Sequence, residues 1–294
     1  MNRDTYYFSI ADHVVGICFE PSDRNSIDLL PSFKPFQIES PKQKPLLTLL
    51  IDDTLRPAKE KKLIRKFDTG NGDTLVYLLP DGGYQYIIRN TMNQDCCLLL
   101  TNSDFSVCRC ALNGEPTMRA FGLNDALMLA YAFAGSYHDT LLIHASCIAY
   151  KGKGYPFTAK SGTGKSTHSS LWLKHIEGAE LMNDDNPIVR IIDKKAFIYG
   201  SPWSGKTPCY RKMARPLGAI IQIDRALQNS IERLGTIPSL AILLPACSTM
   251  KWDSNIYNHL CDTLTLLISS TPIYTLHCLP NEEAAQLCQR TVAP

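Results

Sequence analysis

The chain has 294 residues, enough for one large domain or two ordinary ones, and its 45% hydrophobic content is normal for a globular protein with a sizeable core. Its 30 basic and 28 acidic residues are well mixed and leave a formal charge of +2, which argues against nucleic acid or an anionic membrane as partner. No run of about 18 apolar residues occurs, and the start "MNRDTYYFSIADHVVG" has no apolar run behind a basic segment, so neither secretion nor a membrane span is expected.

Residues 1–113 read as short β-type runs separated by turn clusters: "TYYFSIADHVVGICFE", "PLLTLLID", "DTLVYLLPDGGYQYIIRN" and "QDCCLLLTNSDFSVCRCALNG". Asp81-Gly82-Gly83 supplies the positive-φ residues of a hairpin turn. Pro31, Pro35, Pro41 and Pro45 mark a loop-like segment. The basic cluster Arg56–Asp68 carries interspersed acids and is expected to form a solvated helix face or loop rather than a nucleic-acid patch. This half is predicted to be an antiparallel, β-rich domain with no recognisable chemistry of its own.

The pattern changes after "NGEPTM". Arg119–Tyr137 has helical apolar spacing and much Ala and Leu, which sets a boundary near residue 115 and a second domain over 114–294. There a strand "TLLIHASCIAY", a turn "KGKG" and a strand "YPFTA" lead through a glycine loop into the helix "GKSTHSSLWLKHIEG". Strands "LMNDDNPIVRIID", "AFIYGSPW" and "LGAIIQID" follow, then a helix "SNIYNHLCDTLTLLISS", a strand "PIYTLHCL" and a last helix capped by Asn281. The alternation predicts an α/β core with a mixed sheet. Eleven cysteines, with no C-x-x-C among them, lie largely in apolar runs, where they read as small buried hydrophobes in a reducing, cytoplasmic setting. The spacing of Cys96, Cys97, Cys108 and Cys110 is wrong for a zinc site.

The loop Ala159-Lys160-Ser161-Gly162-Thr163-Gly164-Lys165-Ser166 fills every position of G-x-x-x-x-G-K-[ST] except the first, between a predicted strand and helix. Such a loop, from Ser161 through Thr167, turns backbone N–H groups toward phosphate oxygens at a helix N-terminus. Lys165 offsets β/γ-phosphate charge and Ser166 offers a hydroxyl to Mg²⁺, so ATP and Mg²⁺ are the expected ligands. Ala159 fits if it ends the strand with a negative φ. The alternative is a glycine-rich turn that merely starts a helix.

A two-residue turn at Gly152-Lys153 would bring His144 opposite the start of the loop, near Ser161, where it transfers a proton or steadies a phosphoryl oxygen; otherwise it is a satisfied core histidine. Asp184 and Asp185, adjacent on a strand, point to opposite faces unless the backbone bends, which suits two separate roles. One holds Mg²⁺ and the other takes a proton from an acceptor hydroxyl; the alternative is a turn-forming pair beside Asn186-Pro187. The segment Tyr199–Lys212 carries Ser204, Gly205, Lys206 and Arg211, a basic stretch suited to touching substrate or phosphate, or else a plain surface loop. His168 and His175 read as surface residues rather than a metal pair.

Through "IHASCI", the hairpin into "SGTGKST", and "NDD", the second half resembles the C-terminal kinase domain of the HPr kinase/phosphorylase family and, more distantly, ATP-dependent phosphoenolpyruvate carboxykinases. "GSPWSGKT" followed by "RPLGAIIQI" is similar to smaller HPr-kinase-related proteins that accompany peptide-modification gene sets. The resemblance covers about Thr140 to the C-terminus. It implies an α+β fold whose mixed, largely antiparallel β core is surrounded by helices and carries the loop. By motif it gives Lys165 and Ser166 to phosphates and Mg²⁺, Asp184 to the metal, Asp185 to acid/base duty and His144 to the phosphoryl site. Ala159 replaces the family's glycine and its glutamate-and-arginine segment is absent, so the phosphorylase reaction and HPr itself are not carried over. Hexamers are typical of that family, so a homo-oligomer is carried as an open expectation.

The preferred expectation is an ATP- and Mg²⁺-dependent kinase acting on a hydroxyl, a serine of a peptide or small protein. Its rivals are a non-catalytic ATP-binding accessory protein that holds a peptide or partner, and a kinase of a small metabolite.

Overall fold

Alternating apolar residues in the first half pair off into hairpins. The strands β1 (Asp4–Ile10) and β2 (His13–Phe19) split one predicted run, joined by Ala11 and Asp12 at φ 46° and 61°. A two-residue turn with both φ positive matches the strand twist, and here it forms without glycine. Then come β3 (Gln37–Ile38), β4 (Leu47–Ile51), β5 (Lys62–Asp68), β6 (Asp73–Leu78), β7 (Tyr84–Arg89), β8 (Asp95–Thr101) and β9 (Val107–Leu112). They form one sheet in the order β3-β1-β2-β4-β9-β8-β7-β6-β5, antiparallel except where β4 pairs with β2 and β9. The Asp81-Gly82-Gly83 turn joins β6 to β7, with Gly82 at φ 82° and Gly83 N–H donating to Asp81 Oδ1 at 2.9 Å. The structure, a computed structural model, describes residues 4–68, 72–160, 162–205 and 207–294.

The end of the basic cluster is neither helix nor loop. It forms β5, an edge strand that pairs only with β6 and is mostly exposed, with Ile64 and Phe67 half-buried. Lysines on such an edge discourage a further strand from adding.

The helix α1 (Pro116–Ser136) is tied to this sheet by a buried cation. Arg119 donates to Asn25 Oδ1 at 2.9 Å, to the Leu112 carbonyl at 2.9 Å and to Asp53 Oδ2 at 2.6 Å. Tyr131 O–H reaches the Ile10 carbonyl at 3.0 Å. The chain accordingly divides into two compact units, Met1–Gly135 and Ser136–Pro294, with the division after α1 rather than ahead of it.

The second unit contains β10 (Thr140–Leu142), β11 (Ala145–Tyr150), β12 (Lys153–Thr158), α2 (Lys165–His175), β13 (Glu180–Asp185), β14 (Ile188–Ile192) and β15 (Lys195–Tyr199). It continues with β16 (Ala214–Pro216), β17 (Ile220–Arg225), β18 (Ser230–Arg233), α3 (Thr236–Leu243), α4 (Ser254–Ser270), β19 (Ile273–Cys278) and α5 (Glu282–Val292). The helix α5 begins as predicted, Asn281 Oδ1 accepting from Ala284 N–H. The strands make a six-stranded sheet, β13-β11-β12-β17-β19-β18, and a four-stranded sheet, β10-β14-β15-β16. The architecture is mixed α+β with largely antiparallel sheets.

Two predicted strands are each broken in two. "TLLIHASCIAY" gives β10 to the smaller sheet and β11 to the larger, and "LMNDDNPIVRIID" divides the same way into β14 and β13. The breaks lie side by side, since Leu142 pairs with Ile188 and Ala145 with Asp185. His144 and Asp185 thus occupy a shared crossing between sheets. The β11–β12 turn is at Lys151-Gly152, φ 45° and 76°, not at Gly152-Lys153, because Lys151 takes the positive φ that sequence reading reserves for glycine. In that register Ala145 pairs with Thr158, so His144 falls opposite Ala159 rather than Ser161.

Period-two alternation along β11 and β17 sends residues to opposite sides of the larger sheet. Ala145, Cys147 and Ile220 join one core with Ile198, Leu264 and Leu267. Ile148, Ile221 and Ile223 join another with Trp172, Ala284 and Cys288, from α2 and α5. All eleven cysteines are free and most are buried; burial raises the Cys97, Cys108, Cys147 and Cys288 thiols and pushes Cys247 up to about 12. Among the described residues no helix is long and apolar enough to cross a membrane.

Arg119→Met removes the cation while keeping much of the side-chain volume, leaving Asn25 and Asp53 without their partner. A loss of about 2–4 kcal/mol is expected, read as a lower urea midpoint by circular dichroism. An unchanged midpoint would remove Arg119 from the list of groups that hold α1.

Candidate functional site

The strand β12 lies parallel to β17, and β17 parallel to β19, so three C-terminal strand ends open on one edge. Crevices at such edges are the usual ligand positions of α/β sheets. From β12 the chain enters the glycine loop and then α2. Gly162 has φ 76° and Gly164, which precedes α2, has φ 131°. A Cβ at Gly162 would meet nothing within 4 Å, so backbone conformation rather than crowding calls for glycine there. Ala159, one residue past the strand, is not among the positive-φ residues. Thr163 N–H closes a turn on the Lys160 carbonyl at 3.1 Å, and Lys165 Nζ lies 3.5 Å from the Ala159 carbonyl. Ser161, predicted as part of this loop, is outside the described residues.

The helix α2 carries Ser166 on its first turn, where Ser166 Oγ donates to Asp184 Oδ1 at 2.9 Å. Asp184 is buried near the end of β13. The next residue points elsewhere because the backbone bends: Asp185 has φ 143°, a region that disfavours side chains. Its Oδ1 lies 3.4 Å from His144 Nδ1, and its Oδ2 accepts from Asn186 Nδ2 at 2.6 Å. The two carboxylates have separate partners. His144 itself is held through its backbone, its N–H donating to the Ala246 carbonyl at 2.7 Å.

A polar hub that the sequence did not mark supports this bend. Asn183, fully buried, donates to Ser201 Oγ at 3.2 Å and to the Trp203 carbonyl at 3.1 Å, and its Oδ1 accepts from Asn186 N–H at 3.0 Å. Ser204 Oγ donates to the Asp184 carbonyl at 3.1 Å, and Gly205 N–H donates to the same oxygen. A Cβ on Gly205 would come within 3.2 Å of Asp185 Cβ, so glycine lets this segment approach the carboxylate.

Electrostatics follow from burial. It pushes the Asp185 carboxyl above its ordinary range, against the pull of His144 and Lys165. Burial and the Lys165 charge hold His144 below its ordinary range, against Asp185 and Asp184. Lys165 is also lowered by burial, with both carboxylates opposing.

Beside the loop a cavity of about 450 Å³ is lined by Thr163, Gly164, Thr167, Leu171, Ile223 and Arg225. His168 also lines it and is buried rather than on the surface: it packs on Phe157, its Nε2 accepts from Trp172 Nε1 at 3.2 Å, and burial lowers its pKa to about 4. His175 lies 3.3 Å from Glu282 Oε2. Arg211 pairs with Glu180 at 3.3 Å, at the far end of β13, about 16 Å along the strand from Asp185. It is not gathered with the other predicted site residues, and Lys206 is outside the described residues. Sequence reading missed Arg225, whose guanidinium reaches two loop carbonyls. Its only signal was its place at the end of a strand whose neighbour the sequence does not name.

Because the folded pKa of Asp185 lies above its unfolded value, its favourable contribution is present below the unfolded value and is lost as pH rises through the folded one. His144, lowered, has the reverse sign: its contribution is lost as pH falls below the ordinary imidazole range. Asp185→Asn is therefore expected to raise the melting temperature at neutral pH, the gain shrinking as pH falls toward the ordinary carboxylate range. A variant that melts lower at neutral pH would contradict burial as the dominant influence on Asp185.

No family model matches the chain, and no curated protein matches it in sequence. Among solved structures it is similar to the HPr(Ser) kinase/phosphatase from Coxiella burnetii, with 11% identity and a TM-score of 0.31 over 51% of this chain and 95% of that one. A likeness at that level decides nothing about the chemistry.

Proposed function

We propose that the chain is an ATP- and Mg²⁺-dependent phosphotransferase that moves a γ-phosphoryl group onto a hydroxyl, a serine of a peptide or small protein. The observation that carries this reading is the division of labour between consecutive carboxylates. Asp184 stands 2.9 Å from the Ser166 hydroxyl at the head of α2, and Asp185 stands 3.4 Å from His144 at the neighbouring crossing of the sheets.

The residues fit the implied groups. Ser166 Oγ and Asp184 Oδ1 are hard oxygen donors, and Mg²⁺ is commonly held by one or two protein oxygens with phosphate completing its shell. The first-turn N–H groups of α2 have no preceding carbonyl to reach, and the adjacent cavity has apolar walls suited to a nucleotide's ring. The nucleotide supplies the phosphoryl group, and Mg²⁺ offsets its charge. Lys165 adds a cation from the same turn.

Asp185, raised by burial, is a stronger base than a free carboxylate and accepts the acceptor's hydroxyl proton. His144 Nδ1 faces one oxygen of that carboxylate and Asn186 the other, so the side chain is fixed in orientation. The side chains of His144 and Asp185 are 45% and 33% exposed. That openness favours a peptide or protein acceptor over a small metabolite, which needs an enclosed pocket.

With γ-labelled ATP, Mg²⁺ and a panel of serine peptides, a phosphorylated product is expected. Asp185→Asn should lower transfer by about 10²- to 10⁴-fold while leaving nucleotide affinity within about threefold. Stabilisation by ATP with no product from any peptide would favour the non-catalytic accessory reading instead.

A further inference from the structure

Holding a glycine loop ready for anions is a conformational problem before it is an electrostatic one. Gly162 and Gly164 permit the loop's positive φ values but do not enforce them, because glycine adopts either sign about as readily. A restraint reaches the loop from elsewhere in the fold. Arg225 Nε donates to the Thr163 carbonyl at 2.9 Å, and its Nη2 to the Gly162 carbonyl at 2.7 Å.

Strand register supplies the reach. Thr158, at the end of β12, pairs with Gln222, so Arg225 lies three residues farther along β17, about 10 Å, beside the loop. Its neighbour Asp224 is engaged with His277 at 3.0 Å, and among the described residues no carboxylate forms an ion pair with Arg225. The guanidinium is therefore free to donate to both loop carbonyls, and Arg225 also lines the cavity beside the loop.

A trans peptide carries its C=O and the following N–H in opposite directions. Fixing the Thr163 carbonyl on Arg225 turns Gly164 N–H away from the guanidinium. Fixing the Gly162 carbonyl does the same for Thr163 N–H, which closes the turn on Lys160. A charged donor on a carbonyl also polarises that peptide and strengthens its N–H as a donor.

We propose that Arg225 is a positioning residue that presets the glycine loop for phosphate by acting on its carbonyls. The proposal rests on the phosphotransferase reading, and one set of titrations separates the two. Wild-type protein is titrated with ATP and Mg²⁺ and with inorganic tripolyphosphate, which has phosphates but no base. Wild-type protein that binds neither overturns the phosphate-binding reading, whatever Arg225 does.

With binding established, Arg225→Ala should weaken both ligands by a similar factor, about 10- to 100-fold. The ligand-free protein should melt within a few degrees of wild type, while the Gly164 amide proton shifts upfield as its peptide loses polarisation. Arg225→Lys keeps the charge but cannot fork onto two carbonyls, so it should recover less than half of the loss on a logarithmic scale. Full recovery in Arg225→Lys would reduce the effect to charge alone. Weakening of ATP with tripolyphosphate unaffected would place Arg225 against the base, and wild-type affinity in Arg225→Ala would dismiss it; each of these overturns the proposal.

Discussion

The site depends on one backbone event, the paired crossing of two chain segments between the larger and the smaller sheet of the second unit. At that crossing β10 passes into β11 beside the passage of β13 into β14, with Ile143 N–H donating to the Pro187 carbonyl at 3.1 Å. A strand that continued straight would send Asp184 and Asp185 to opposite faces of one sheet. The bend at Asp185 instead turns one carboxylate toward the helix that follows the glycine loop and leaves the other beside His144. The strained φ of Asp185 persists because neighbouring bonds over-determine it, chiefly those of Asn183, Ser201 and Gly205.

Burial and charge act against each other at this crossing. Desolvation moves Asp185, His144 and Lys165 toward their neutral forms, while each group's opposite-charge neighbours favour the ionised one. Burial prevails for all three. A raised carboxyl, a lowered imidazole and a lowered ammonium sit within one electrostatic neighbourhood, and perturbed groups clustered in this way are common at functional sites.

The order of local elements was legible in the sequence, and long-range geometry was not. The glycine loop could be read because strand, glycines and helix are contiguous, and Lys165 and Ser166 came with it. The pairing of His144 with Asp185 was not readable as such, since it depends on strands changing sheets at those residues, and an apolar run carries no mark of which sheet it joins. The hairpin register slipped by two because Lys151 accepts a positive φ. His168 looked like a surface residue because helix periodicity does not reveal that Phe157 and Trp172 enclose it. Arg225 and Arg211 show the same limit from both sides: an arginine's partner is set by tertiary packing, which brought the unnoticed one to the loop and sent the expected one to Glu180.

The buried cysteines give the molecule a built-in chemical record of its own opening. A thiol shielded from solvent and held mostly protonated reacts slowly with alkylating reagents, and it becomes reactive once its surroundings unfold. Cys97 and Cys108 lie in the first unit, and Cys147, Cys247 and Cys288 in the second. Peptide-resolved alkylation during denaturation would time the opening of each unit from within a single unmodified chain.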